Sequence, residues 1–171
     1  IELKLDLPPG TNRQVTSLPL LADAPPGTRS ELSIYFDTKD GRLGAQGCSL
    51  RVRQAGGLWV QTLKQSSAAG GLLDRGEWEW EIAGDTPDLA LLEEVPIDLG
   101  ISPGKLARKL RPVLRSEVER TSWQVEHGGS RVQVDLDVGD LQAGEHRTPI
   151  EEIEFELLDG PASAVVGLAR A

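Results

Sequence analysis

The sequence predicts a mainly β (α+β) fold: eight antiparallel strands able to close into a barrel, with helices packed outside. Three observations carry this expectation. Strand-length runs place a charge at every second residue. Glu152, Glu154 and Glu156 alternate with Ile153, Phe155 and Leu157, and Glu77, Glu79 and Glu81 alternate with Trp78, Trp80 and Ile82. Arg51 and Arg53 flank Val52, while Glu2 and Lys4 sit between Ile1, Leu3 and Leu5. Successive strand side chains point to opposite faces, so each run has one apolar and one charged face. Short breaks of the hairpin kind separate the runs, at Asp40-Gly41, Gly56-Gly57, Gly70-Gly71 and Gly128-Gly129. Finally, Trp59, Trp78, Trp80 and Trp123 all fall on apolar faces, bulky for the inside of a small barrel but suited to packing under helices.

Taken in order, strands are predicted at 1–6, 31–37, 48–54, 58–65, 74–83, 118–127, 130–137 and 151–158. Residues 11–21 fit no single pattern. A helix over 87–94 has Thr86 as its cap and Pro87 at its first position. A second over 102–117 carries Leu106, Leu110, Val113 and Leu114 at helical spacing, with Lys105, Arg108, Lys109 and Arg111 between them. A third begins in 161–170 and is cut by the chain end. No repeat or internal linker interrupts the 171 residues, which read as a single domain large enough to bury a core.

Composition narrows the function. A net charge of −9 and a pI near 4.7 argue against nucleic acid as partner, because phosphate backbones demand a basic surface. A small anionic ligand is still compatible with an acidic protein. Cys48 is the only cysteine, so no intramolecular disulfide forms and a reducing, cytoplasmic location is expected. No apolar stretch approaches the length of a membrane span, so no membrane partner is expected.

The alternation leaves open which face lies inside. With apolar faces inward the barrel is ordinary and has a charged coat; with charged faces inward, helices must cover it from outside. The placement of the tryptophans favours the second arrangement. So does the segregation of sign, since solubility alone is better served by mixed charges. Glu152, Glu154 and Glu156 repel one another unless cations neutralise them. Acidic and basic strands together suggest a site that holds a metal ion and a polyanion. His127 and His146 lack partners at metal-ligand spacing, Cys48 reads as a small packed residue, and Gly70-Gly71 lacks the strand–loop–helix setting of a phosphate loop.

Several pieces, in order along the chain, carry a family resemblance. They are Ile-Glu-Leu-Lys at 1–4, Tyr-Phe-Asp-Thr at 35–38 with Asp40 and Arg42, Leu-Arg-Val-Arg at 50–53 and Thr-Leu-Lys at 62–64. Arg-Gly-Glu-Trp-Glu at 75–79, Leu-Asp-Val-Gly at 136–139 and Glu-Ile-Glu-Phe-Glu-Leu at 152–157 follow. Together they resemble the CYTH-domain proteins, or triphosphate tunnel metalloenzymes, and most of all the bacterial inorganic triphosphatases among them.

The resemblance implies an eight-stranded antiparallel tunnel with a charged lumen that binds triphosphate and Mg²⁺ or Mn²⁺. Lys4, Arg51, Arg53, Lys64, Arg75 and Arg120 match phosphate-binding, catalytic positions. Glu2, Asp137, Glu152 and Glu154 match acidic positions that hold metal, and Glu77, Glu79 and Glu156 share their face. The implied activity is hydrolysis of inorganic triphosphate to pyrophosphate and phosphate. Thiamine triphosphatases and adenylate cyclases of the same superfamily, or a non-catalytic polyphosphate-binding module, are the alternatives. Physical chemistry agrees with that division of labour. Arginines at i and i+2 on one strand point the same way, and each fork can bind phosphate oxygens bidentately. Carboxylates supply the oxygen ligands that Mg²⁺ prefers.

The chain departs from the pattern in three places. It opens past the first Glu of the Glu-x-Glu-x-Lys signature, and the family's C-terminal helix and basic motif do not follow Ala171. Truncation at both ends and a further domain C-terminal to this chain are therefore expected. Gln133 also stands where relatives often carry an acid, while Asp135 adds one on the same face.

Overall fold

A computed structural model describes residues 1–66 and 76–170. Eight strands form one sheet: β1 (Glu2–Asp6), β2 (Gly27–Thr38), β3 (Cys48–Ala55), β4 (Leu58–Gln65), β5 (Gly76–Ile82), β6 (Leu110–His127), β7 (Ser130–Ala143) and β8 (His146–Asp159). Their order across the sheet is β1-β8-β7-β6-β2-β3-β4-β5. The ladders β1–β8, β2–β3, β3–β4 and β4–β5 are antiparallel. All eight predicted strands are present, so the mainly β reading holds. The expected start at 74 and the Gly70-Gly71 turn lie outside the described residues.

Helices are few and short: α1 (Asn12–Val15), α2 (Arg42–Ala45), α3 (Pro103–Lys109) and α4 (Ser163–Leu168), with 3₁₀ turns at Pro19–Leu21 and Ala90–Glu94. The helix expected over 102–117 is corrected. It ends at Lys109, and from Leu110 the chain is strand β6. Pro112 explains the break: it disfavours helical backbone at Arg111 and lacks the N–H that a helix needs. Leu106, Leu110 and Leu114 mimic a helical stripe, yet Leu110 is already extended, with ψ of 136°. The predicted 87–94 helix is reduced to a 3₁₀ turn.

The chain divides into two compact units. The first contains Ile1–Ser30, Glu117–Asp140 and Thr148–Ala171; the second contains Glu31–Ser116 and Leu141–Arg147. In the first unit, Trp123, Val125, Val132, Val134, Leu136, Ile153 and Phe155 pack against Val15, Leu21, Val165 and Leu168. In the second, Ile34, Phe36, Leu50, Val52 and Leu63 pack against Leu43, Leu92, Val95 and Leu106. Trp59, Trp78 and Trp80 flank this second core. Each unit thus turns its apolar strand face toward helices and turns, which leaves the charged residues on the opposite face.

Two turns and one long-range tie fix this arrangement. Gly56-Gly57 and Gly128-Gly129 have positive φ and close the β3–β4 and β6–β7 hairpins, a backbone state that costs a side-chain-bearing residue. Gln61, fully buried in the second core, donates to the Asp88 carbonyl at 3.1 Å and accepts from its N–H at 2.7 Å. That double bond satisfies a buried amide and pins the loop that carries Leu92.

Candidate active site

In the first unit, β1 pairs with β8 so that Glu2 faces Glu156, Lys4 faces Glu154, and Asp6 faces Glu152. The two acidic and basic runs therefore share one sheet face, as the period of two requires. Lys4 Nζ bridges Glu152 Oε2 at 2.8 Å and Glu154 Oε1 at 2.5 Å. Burial alone lowers the Lys4 pKa, but the hydrogen bonds and charges of these two carboxylates outweigh it and hold the ammonium above the ordinary lysine range.

Arg120, from β6, occupies the centre of the same face. Its Nε and Nη2 donate to the two oxygens of Asp137 at 2.6 and 2.5 Å, Nη2 also reaches Glu154 Oε2 at 2.9 Å, and Nη1 reaches Asp135 Oδ2 at 3.1 Å. Gln133 donates to Asp135 from the side. Asp135 and Asp137 are buried, a cost that such a fork of charged hydrogen bonds offsets. Two residues after Asp137, Gly139 lets β7 approach β6: a Cβ there would lie 1.9 Å from the Glu117 carbonyl oxygen.

Asp137, Glu152 and Glu154 each bring a carboxylate oxygen within 4.8 Å of the others. Three hard oxygen donors fit Mg²⁺ or Mn²⁺, which bind through a few carboxylates and keep waters for the remaining positions. Glu2 lies on this face but is exposed and outside the three-carboxylate cluster. Glu151, one residue before the cluster, points the other way and accepts hydrogen bonds from Gly10 N–H at 2.8 Å and Asn12 N–H at 3.4 Å. It anchors the entry to α1, so the acidic run mixes one structural acid with the site acids.

The second unit presents a different chemistry. Across β2–β3–β4–β5 the ladder sets Tyr35, Arg51, Thr62 and Glu79 in one row, and Ser33, Arg53, Val60 and Glu81 in the next. Arg51 and Arg53 make no ion pair with a carboxylate among the described residues. Arg51 Nη2 reaches Thr62 Oγ1 at 3.5 Å, and the Thr62 hydroxyl donates to Glu79 Oε1 at 3.0 Å. Arg51 Nε is buried with no hydrogen-bond partner, the kind of orphaned donor that an anion in the site would relieve. Lys64 is half-exposed and pairs with Glu77 at 2.9 Å.

The structure thus gathers Lys4, Arg120, Asp137, Glu152 and Glu154 in one unit, and Arg51, Arg53, Lys64, Glu77 and Glu79 in the other. Arg75 lies outside the described residues. Two features escaped the sequence reading. Thr62 is fully buried on a charged face, a signal visible only as a small hydroxyl between charged strands. The second is that Lys4 and Arg120, expected at phosphate-binding positions, also hold the carboxylates of the same face.

The comparisons agree with this geometry. The sequence matches the CYTH domain over residues 1–171. The chain belongs to the CYTH family. It is 35% identical over 130 residues to an inorganic triphosphatase of Haemophilus influenzae, an alignment covering 74% of this chain and 35% of that protein. This CYTH chain therefore spans about a third of the length of that curated relative. Among solved structures, a putative adenylate cyclase of Bacillus halodurans superposes with a TM-score of 0.61 at 21% identity, covering 99% of this chain and 86% of the other. A putative adenylyl cyclase from Hippeastrum, described as having a dominant triphosphatase activity, gives 0.62 at 22% identity, with 99% and 83% covered. At these identities the two structures speak for the CYTH fold alone. No helix of the described residues is long and apolar enough to cross a membrane.

Proposed function

We propose that this CYTH chain carries out divalent-metal-dependent hydrolysis of inorganic triphosphate to pyrophosphate and phosphate. The observation that carries the reading is the contrast in charge. Arg51 and Arg53 project from one strand with no carboxylate partner among the described residues, while three carboxylates converge within 4.8 Å on a separate set of strands. Membership of the CYTH family and the inorganic triphosphatase relative support the same substrate class. In this reading the sheet closes on itself as a tunnel, with the charged faces inward, and the 171 residues act as one domain.

Arg51 and Arg53 grip the triphosphate through bidentate forks, assisted by Lys64, Arg75 and Lys4. Each contact at ~4 Å and an effective dielectric near 20 is worth about 4 kcal/mol before desolvation. Asp137, Glu152 and Glu154 would hold Mg²⁺ or Mn²⁺. When bound, the metal supplies charge neutralisation at phosphate oxygens and a template for in-line geometry. Water attacks the terminal phosphorus, a new P–O bond forms, the bridging P–O bond breaks, and pyrophosphate departs. Arg51 and Arg53 stabilise the charge that accumulates on the transferring and leaving groups, and an acid of the face accepts the proton of the water. Arg120 has each of its nitrogens engaged by acids, so it serves those carboxylates.

The test is release of inorganic phosphate from tripolyphosphate, followed by malachite green, with Mg²⁺ or Mn²⁺ and with EDTA. Metal-dependent release is expected. No release above blank while triphosphate still binds tightly would sink the enzyme reading in favour of a polyphosphate-binding module.

A further inference from the structure

Lys4 and Arg120 both bind the carboxylate triad, but in contrasting ways. Arg120 is mostly buried, with 14% of its side chain exposed, and its planar fork spans Asp137, Asp135 and Glu154. Lys4 has 44% of its side chain exposed and makes its contacts through a single rotatable ammonium. That ammonium stands between one oxygen of Glu152 and one of Glu154, two of the three carboxylates that could share a metal. Among the described residues, Lys4 is the side-chain donor to Glu152.

Two cations cannot occupy the same point between two carboxylates. A fixed guanidinium with five donors is suited to orienting acids, whereas a point charge on a four-carbon stem is suited to moving.

We propose that Lys4 is an exchangeable plug of the metal position. Without metal, its ammonium neutralises Glu152 and Glu154; when metal arrives, Lys4 leaves them and turns to triphosphate. Arg120 stays as a positioning residue for Asp137 and Glu154. Metal and triphosphate binding are then coupled through one side chain, and by linkage each raises the affinity of the other by the same factor. The proposal rests on the triphosphatase reading above, since it assumes that the triad takes metal and that Lys4 reaches the anion.

The experiment is a double-mutant cycle read by binding, without turnover. Tripolyphosphate is titrated calorimetrically in EDTA into the wild-type chain, Glu152→Gln, Lys4→Met and the double variant. Freed from one carboxylate, Lys4 should let Glu152→Gln bind tripolyphosphate about tenfold more tightly than wild type. The gain should vanish in the Lys4→Met background. A gain of equal size in that background would mean a through-space charge effect and overturn the plug, as would no gain at all. If Glu152→Gln does not fold, as judged by circular dichroism, Glu154→Gln runs the same cycle with the same expected outcomes. Wild-type chain that binds no tripolyphosphate, with or without Mg²⁺, would overturn the triphosphatase reading and the plug with it. Binding with a flat cycle would overturn the plug alone.

Discussion

The two units solve the problem of buried charge in opposite ways. In the first, Arg120 and Lys4 meet Asp135, Asp137, Glu152 and Glu154 at 2.5 to 3.1 Å, so the charged face is self-satisfied. In the second, Arg51 and Arg53 stand on β3 with no carboxylate ion pair among the described residues, while on β5 Glu77 is engaged by Lys64 and Glu79 by Thr62. A paired cluster contributes to folding and resists change. A cation without a carboxylate partner contributes less to folding and is available to a ligand. The same residue type, arginine on a strand, is therefore held by carboxylates on β6 and left without one among the described residues on β3.

The largest expected effect breaks the paired side. Arg120→Ala leaves three acids without their fork, and removing one partner of such a buried network costs about 3–5 kcal/mol. Urea denaturation should show this loss; a stability within 1 kcal/mol of wild type, on the same scale, would mean that water replaces the fork. Arg53→Ala should do the reverse. Its kcat/KM for triphosphate falls by about 10²–10³, while the urea midpoint holds or rises as repulsion from Arg51 is relieved. Unchanged turnover in an unfolded-prone variant would make Arg53 structural and remove the contrast.

Neighbouring acids sharpen the comparison within one strand. Glu154→Gln should move the Mg²⁺ midpoint of activity to roughly tenfold higher concentration. Glu151→Ala should leave that midpoint alone and cost about 1–2 kcal/mol, because Gly10 and Asn12 N–H lose their acceptor. The smallest effect concerns Asp40, whose hydrogen bonds from Arg42 and Thr38 lower its pKa from 3.8 to about 2. A depressed folded-state pKa means a contribution present above 3.8 and lost as pH falls through about 2. Thermal midpoints of wild type and Asp40→Asn should differ slightly at pH 6 and converge near pH 2, a difference measurable by calorimetry. Persistence of the gap at pH 2 would show that charge is not its source.

Much of this was legible before the structure. Period-two alternation marked all eight strands, because a strand with a packed face and a charged face can be written only that way. Residue type marked the acids and bases. Other features were not legible. Leu106, Leu110 and Leu114 satisfy helical spacing, and only Pro112 hinted that the chain turns extended at Leu110. Glu151 and Glu152 are identical in the sequence; the strand's pleat sends one to the α1 entry and the other to the site. Gly139 closes the Leu-Asp-Val-Gly piece, but only the structure sets the Glu117 backbone against it.

The sequence by itself determined that eight strands form, which charges of a strand share a face, and the family, since these follow from local periodicity and from the order of motifs. Tertiary structure alone decided the partners. Whether a lysine meets phosphate or carboxylate depends on the register of β1 against β8, which sets Lys4 opposite Glu154 from the far end of the chain. Such pairing depends on distances of a few ångströms between residues about 150 apart, and electrostatic attraction at that range is set by geometry, which no run of letters contains.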